Sequence, residues 1–370
     1  MGFLRLILAL LVLLSHAGMR VFGLNPGVVA VIGFYLISGY VMAGLLRSHY
    51  NSPQRAHWFY ADRVLRLFPQ YFTYALLTVL LWFWLQAHAQ PFTPFLQRDP
   101  TVVDWLNNIL VVPLNYYMVN GSDQFVLLPP AWSLGAELQF YLLVPLMLLW
   151  PRVGVVLALA SVAVHGMALA HWLNTDWFGY RLIPGVLWVF GVGMLLFAWQ
   201  RSRPRWAHAL ALAAPVLALG IYLLLRHKGL HAAPFHQEVL LGWGLGVPLV
   251  HVLAMVGMPT RQQAPIAQPA PTLASTPAPT LLQRANHLAG DASYGVFLNH
   301  FLLIWLSHLL GWPIGHTNAA AVAPDAVAQA VPGWVVLAVV SVVLAVVTQR
   351  YAEQPVLRWR RALRRPRGQT

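Results

Sequence analysis

Long apolar runs separated by short polar connections set the pattern of this chain. Runs of spanning length fall near residues 3–22, 27–46, 69–87, 134–150, 152–171, 182–199, 206–225, 238–257, 292–310 and 332–349, and they predict ten helices. Two of the runs are divided only by Pro151-Arg152. Residues 88–133 form the longest connection, with two short apolar pieces, Val102 to Val112 and Phe125 to Leu128. Neither is long enough to span. Such pieces either lie in the membrane interface or re-enter between helices, where protein or water satisfies their backbone. Residues 259–283, rich in Pro, Ala, Thr and Gln, read as a cytoplasmic linker with no chemistry of its own. There is no repeat of solenoid period and no inverted repeat of the transporter kind.

Composition agrees with the pattern. At 59% hydrophobic and 9% charged residues, with a mean hydropathy of +0.62, the chain lies outside the soluble globular range and is expected to be an all-α polytopic membrane protein. It has no cysteine, which excludes a disulfide framework, a thiolate nucleophile and a zinc-thiolate site, and no metal site is expected. A formal charge of +13 would point to nucleic acid in a soluble protein. Here the basic residues sit in the short connections between apolar runs, so the charge is expected to set orientation, with the lipid bilayer and not nucleic acid as the partner. With the N-terminus inside, 18 of the 23 basic residues fall on the cytoplasmic side and Arg20, Arg98, Arg181, Arg226 and Lys228 outside. That asymmetry predicts about ten spans in one bundle with both termini cytoplasmic. Residues 1–357 would form the membrane domain, with the linker inside it, and residues 358–370 a basic cytoplasmic tail.

Polar residues inside the apolar runs carry the candidate chemistry. In the first run Arg5 and His16 bracket ten residues that are nearly all aliphatic. At about 3.6 residues per turn they project from one helix face, roughly 16 Å apart along the axis. An ionisable group at membrane depth costs free energy unless it meets a partner or water, which makes it a functional-site candidate. The competing reading of His16 is a packed, hydrogen-bonded helix residue. Residues 1–17 also fit a cleaved signal peptide, with Leu6 to Leu14 as its apolar core, but retention is expected because the rest of the chain is itself membrane-embedded.

Arg63 and Arg66, three residues apart at the cytoplasmic mouth of the third helix, share a helix face and offer planar forks suited to phosphate oxygens. Positive-inside anchoring, or pairing of Asp62 with Arg66, is the alternative. In the fourth helix Ser133 is a plausible N-cap, placing Glu137 about one turn inside the outward end. A carboxylate there can steady the imidazole of His16 or tie helix ends together. Tyr294, Asn299 and His300 fall inside the ninth helix, where polar groups face the bundle interior, and a structural role is expected for His300. Gly33, Ser38, Gly39, Ala43 and Gly44 in the second helix permit close packing, and Ser38 has no neighbouring base to make it a nucleophile. Tyr351, Glu353 and Pro355 look like an end-cap of the bundle.

The order Arg5-x10-His16, GFYLISGYVMAGLL, ADRVLRLFPQY, WSLGAELQFYLLVPL, SYGVFLNH and AEQP resembles the acyltransferase-3 family of integral membrane O-acyltransferases. The resemblance runs from about residue 5 to residue 355. It implies transfer of an acyl group, usually acetyl, from cytoplasmic acyl-CoA to a sugar hydroxyl, with acetyl-CoA as co-substrate and no bound cofactor. It also implies that His16 is catalytic, that Arg5, Arg63 and Arg66 serve the donor, and that the carboxylate of the W-S-x-x-x-E motif, Glu137, supports the site. Ser38, Trp132, Ser133, Tyr294, Asn299 and His300 remain as acceptor contacts or structural polar groups. Direct transfer and a two-step route through acyl-His16 are both compatible with these residues. Acceptors in lipopolysaccharide, capsule, lipid-linked glycans and small glycosides all fit, as does a bacterial inner membrane location. The runner-up is a proton-coupled transporter or flippase with His16, Glu137 and His300 as its relay.

Overall fold

The structure is a computed structural model that describes residues 1–50, 52–88, 95–202, 205–256, 280–312 and 324–363. The elements in chain order are α1 (Gly2–His16), α2 (Pro26–His49), α3 (Ala56–Ala87), α4 (Val102–Leu110), α5 (Tyr117–Asn120), α6 (Ala131–Leu149), α7 (Pro151–Leu169), α8 (Ile183–Ser202), α9 (Arg205–His227), α10 (His236–Val256), α11 (Leu281–Leu309), α12 (Pro324–Thr348) and α13 (Gln354–Leu363). Among the described residues no strand forms, and eight helices are long and apolar enough to cross a membrane. The chain is an all-α polytopic membrane protein. Each of the ten expected runs falls on a helix, but among the described residues α1, only 15 residues long, and α11 are not among the eight that meet the length and apolarity of a span. Of the expected linker 259–283, residues 259–279 lie outside the described residues. Residues 280–283 do not belong to a linker, because Thr280 and Gln283 form the capping box that starts α11.

Helix α1 lies at the centre, packed between α2 and α11, while α8 and α10 flank α2 and α12 flanks α11. Its expected extent of 3–22 is too long, since it stops at His16 after 15 residues, about 22 Å. The cause is a Schellman cap. Gly18 takes a φ of 95°, its N–H donates to Ser15 O at 3.3 Å, and Met19 N–H donates to Leu14 O at 2.9 Å. His16 therefore occupies the last helical position.

Close approach of the central helices depends on glycine. A Cβ on Gly39 of α2 would strike the Phe190 carbonyl of α8, and one on Gly193 of α8 would strike the Leu36 carbonyl of α2. Helix α3 starts thirteen residues before the expected run and absorbs Arg63, Arg66 and, inside it, Pro69. The expected boundary at residue 357 falls within α13, where Leu357 is buried and Arg360 reaches Asp62 at 3.2 Å.

Connections alternate between the two ends of the bundle. One, the terminal end, holds the start of α1, the start of α3 and α13. The other, the loop end, holds His16 and residues 95–130. There α4 is amphipathic in reverse: Asp104, Asn107 and Asn108 are buried, whereas Val102, Val103, Leu106, Ile109 and Leu110 are exposed. That arrangement suits a helix lying in the membrane interface with its apolar side to lipid. Asn108 holds the segment by donating to Phe125 O at 3.1 Å and accepting from Leu127 N–H at 2.9 Å.

Candidate active site

A cavity of about 110 Å³ with charged residues on its wall opens in the bundle between α1, α2, α3, α6 and α11. Arg5, Arg63, Arg66, Ser38, Ser133, Glu137, Tyr141 and Tyr294 line it. Glu137 is held on two sides, accepting at Oε1 from Ser38 Oγ at 2.6 Å and from the Tyr141 hydroxyl at 2.5 Å. Helical spacing explains the second contact, because Tyr141 stands four residues after Glu137 on the same face. The Tyr294 hydroxyl donates to Leu67 O at 3.1 Å and ties α11 to α3.

The three arginines are not equivalent. Arg66 is engaged: its Nη2 meets Asp291 at 2.9 Å and its Nη1 meets Glu353, a carboxylate that is fully buried and also accepts from Gln70. Asp62, for which pairing with Arg66 is the alternative reading, pairs with Arg360, since Arg66 faces α11 and the π-helical turn Gln349–Glu353. Glu353 is thus more than a bundle cap. Arg63 meets the Met42 sulfur at 3.9 Å and the Phe59 ring at 5.9 Å, and its Nε has no hydrogen-bond partner among the described residues. Neither Arg63 nor Arg5 forms an ion pair among the described residues.

His16 lies elsewhere, at the loop end, on the wall of two further chambers of about 70 and 220 Å³. Its Nδ1 donates to Val12 O at 2.9 Å; a carbonyl only accepts, so this contact places the proton on Nδ1 and leaves the Nε2 lone pair free. The ring stacks on His300 at 5.1 Å and tilts against Phe301 at 4.8 Å. Among the described residues Glu137 makes no contact with the His16 imidazole, the first of the two roles open to it. Its hydrogen bonds go to Ser38 and Tyr141, it lines a different cavity, and no hydrogen bond joins it to His16.

The charged group beside His16 is one that sequence reasoning missed. Arg181 lines both outer chambers, with its Nε on Asp176 at 2.8 Å and its guanidinium over Trp132 at 4.5 Å, Tyr180 at 5.0 Å and Tyr117 at 5.5 Å. A signal for it exists: Arg181 is one of only five basic residues assigned to the depleted side, and it follows the aromatic run Trp177-Phe178-Gly179-Tyr180.

The other candidates divide by contact. Ser133 is not an N-cap, because α6 begins at Ala131 and the Ser133 hydroxyl donates to Pro130 O at 3.1 Å. Ser133 instead lines both the inner cavity and the smaller outer chamber, and Trp132 lines both outer chambers. Asn299 is a latch: it donates to Ser341 O at 3.0 Å and accepts from Ser341 Oγ at 2.6 Å, joining α11 to α12. His300 is fully buried with neither ring nitrogen hydrogen-bonded among the described residues, and it meets the site through ring contacts with His16, Phe297 and Phe301.

Fold and site therefore define a polytopic membrane protein with a cationic cavity at one end and a histidine chamber at the other. The acyltransferase-3 family model, described as an acyltransferase domain, matches residues 1–350, and the chain belongs to that family of membrane acyltransferases. Membership sets aside the transporter and flippase reading. The chain is 26% identical to Nodulation protein 10 of Rhizobium leguminosarum bv. viciae, across 97% of this chain and 93% of that one. It is 30% identical to an uncharacterised protein of Aquifex aeolicus (strain VF5) over 205 residues, 55% of this chain and 79% of the other. No solved structure matches it.

Proposed function

We propose that this acyltransferase moves an acyl group, acetyl in the first instance, from cytoplasmic acyl-CoA to a hydroxyl of a sugar in a surface polysaccharide, lipopolysaccharide, lipid-linked glycan or glycoside. The terminal end of the bundle faces the cytoplasm of a bacterial inner membrane, as the bias of basic residues predicts. The single observation that carries the reading is that two arginines with no ion pair among the described residues and a histidine whose Nε2 is not its backbone-bonded nitrogen line cavities of one bundle that share wall residues.

Arg63, with no carboxylate paired to it among the described residues, is suited to the phosphates of the donor. Arg5, one turn into α1, stands beside the cavity carboxylate Glu137 and takes the donor further in. Arg66 is a positioning residue that locks α3 to α11 and to the turn at Glu353. Glu137, fixed by Ser38 and Tyr141, shapes the inner cavity and not the base. At the loop end Trp132 offers a flat aromatic face and Arg181 a planar donor for the acceptor sugar.

In the chemical step neutral His16 takes the acceptor hydroxyl proton on Nε2 as that oxygen attacks the thioester carbonyl carbon. The C–O bond forms, the C–S bond breaks, and the departing CoA sulfur recovers the proton from the imidazolium. With Glu137 out of reach, the Val12 carbonyl orients the ring, and the C-terminal end of α1 offsets the transient positive charge by about 0.3–1 kcal/mol. Membranes containing the protein, given acetyl-CoA labelled in the acetyl group and a set of glycan acceptors, test the reading. Labelled glycan is the expected product, and label confined to free acetate or unreacted acetyl-CoA would overturn it.

A further inference from the structure

The inner cavity and the smaller outer chamber share three wall residues: Val31 of α2, Ser133 of α6 and Phe297 of α11. Everything else that lines the inner cavity, Arg5, Arg63 and Glu137 included, lies on one side of this ring, and His16 lies on the other. Phe297 is the bulky member. Its ring packs edge-on against Phe34 of the inner cavity at 6.1 Å and against His300, the stacking partner of His16, at 6.0 Å. On α11 Phe297 stands three and four residues after Tyr294 and Ser293, and His300 and Phe301 stand three and four residues after Phe297, so one helix face runs from the inner cavity past the ring of shared residues to His16.

We propose that Val31, Ser133 and Phe297 form a neck through which the pantetheine arm of the donor passes, and that Phe297 decides which acyl groups reach His16. The inference rests on the acyl-CoA reading above. Arg5 and His16 are eleven residues apart on α1, roughly 16 Å, which an extended arm the length of about five residues of chain covers. Phosphates held at the terminal end and a thioester at His16 Nε2 are then compatible only if the arm lies in the neck. An acyl group longer than acetyl has to push past the Phe297 ring to arrive there.

The chain has no native cysteine, so a single thiol placed in the neck reports its occupancy directly. In Ser133→Cys, a small methanethiosulfonate reagent should label the thiol, and CoA, which carries the whole arm, should slow labelling at least tenfold. Adenosine 3′,5′-bisphosphate, which lacks the arm, should not. Equal protection by both compounds, or by neither, overturns the neck. Phe297→Ala and Val31→Ala should raise the use of hexanoyl-CoA relative to acetyl-CoA at least tenfold, a ratio that a loss of folded protein does not move. An unchanged ratio in Phe297→Ala overturns the selective role of Phe297, whatever Val31→Ala does. If wild-type protein transfers acetyl from no CoA thioester, the donor reading itself fails, which separates that failure from a failure of the neck.

Discussion

Arg63 and Arg66 look alike in sequence, three residues apart on one helix, yet their surroundings give them opposite expected phenotypes. Arg63→Glu removes a guanidinium that has no ionic partner among the described residues, so insertion and stability should survive while the apparent KM for acetyl-CoA rises at least tenfold. Arg66→Glu leaves the buried Glu353 facing a like charge; breaking a buried pair costs about 3–5 kcal/mol, so this variant should lose much of its thermal stability in detergent. Equal behaviour of the two variants in a melting curve and a donor titration would undo the distinction. Arg181→Lys keeps the charge but loses the planar stack on Trp132 and the fixed fork to Asp176. A cation–π contact contributes about 0.5–2 kcal/mol, so the acceptor KM should rise by a few-fold to about thirtyfold with the donor KM unchanged. A shift confined to the donor KM would remove Arg181 from the acceptor side.

At the scale of elements, the central feature is that α1 ends where its histidine stands. Gly18→Val puts a β-branched residue at a φ of 95°, unwinding the Schellman cap and swinging His16 away from its Val12 contact. Transfer should fall at least tenfold, and by more than the loss of folded protein seen in a melting curve. Activity that tracks folded protein alone would show the cap to be merely structural. Existence of the helices is legible in the sequence, because in lipid a long apolar run has few ways to satisfy its backbone. Their ends are less so. The extension of α3 back to Ala56 and the stop of α1 at His16 depend on capping and on contacts between helices that hydropathy does not encode. Within the site, the residues on one helix face were legible through their spacing, Arg5 with His16 above all. Partners across helices were not: Glu137 with Ser38, Arg66 with Glu353 and Asp62 with Arg360 are 99, 287 and 298 positions apart and meet only in the packed bundle.

For the whole molecule, the inner cavity and the His16 chambers face opposite ends of the bundle, and the bundle's orientation in the membrane decides which substrate arrives from which side. A reporter fused after residue 370 should be active in the cytoplasm, and one inserted in the connection between α5 and α6, near Gly121, should be active on the far side. Reporters read in the reverse sense would put the arginines on the acceptor side and invert the proposed order of binding.

One measurement bears most directly on the chemistry, acetyl transfer by purified wild type and His16→Ala at matched amounts and matched thermal stability. His16 lines the outer chambers and Arg63 the inner cavity, so on the proposed mechanism His16→Ala removes the base without touching the proposed donor site. A general base contributes about 10²–10⁴-fold in rate, so the variant should retain under about one hundredth of wild-type turnover while binding acetyl-CoA as before. A stable His16→Ala protein that keeps more than about a tenth of wild-type turnover would contradict the assignment of His16 as the base.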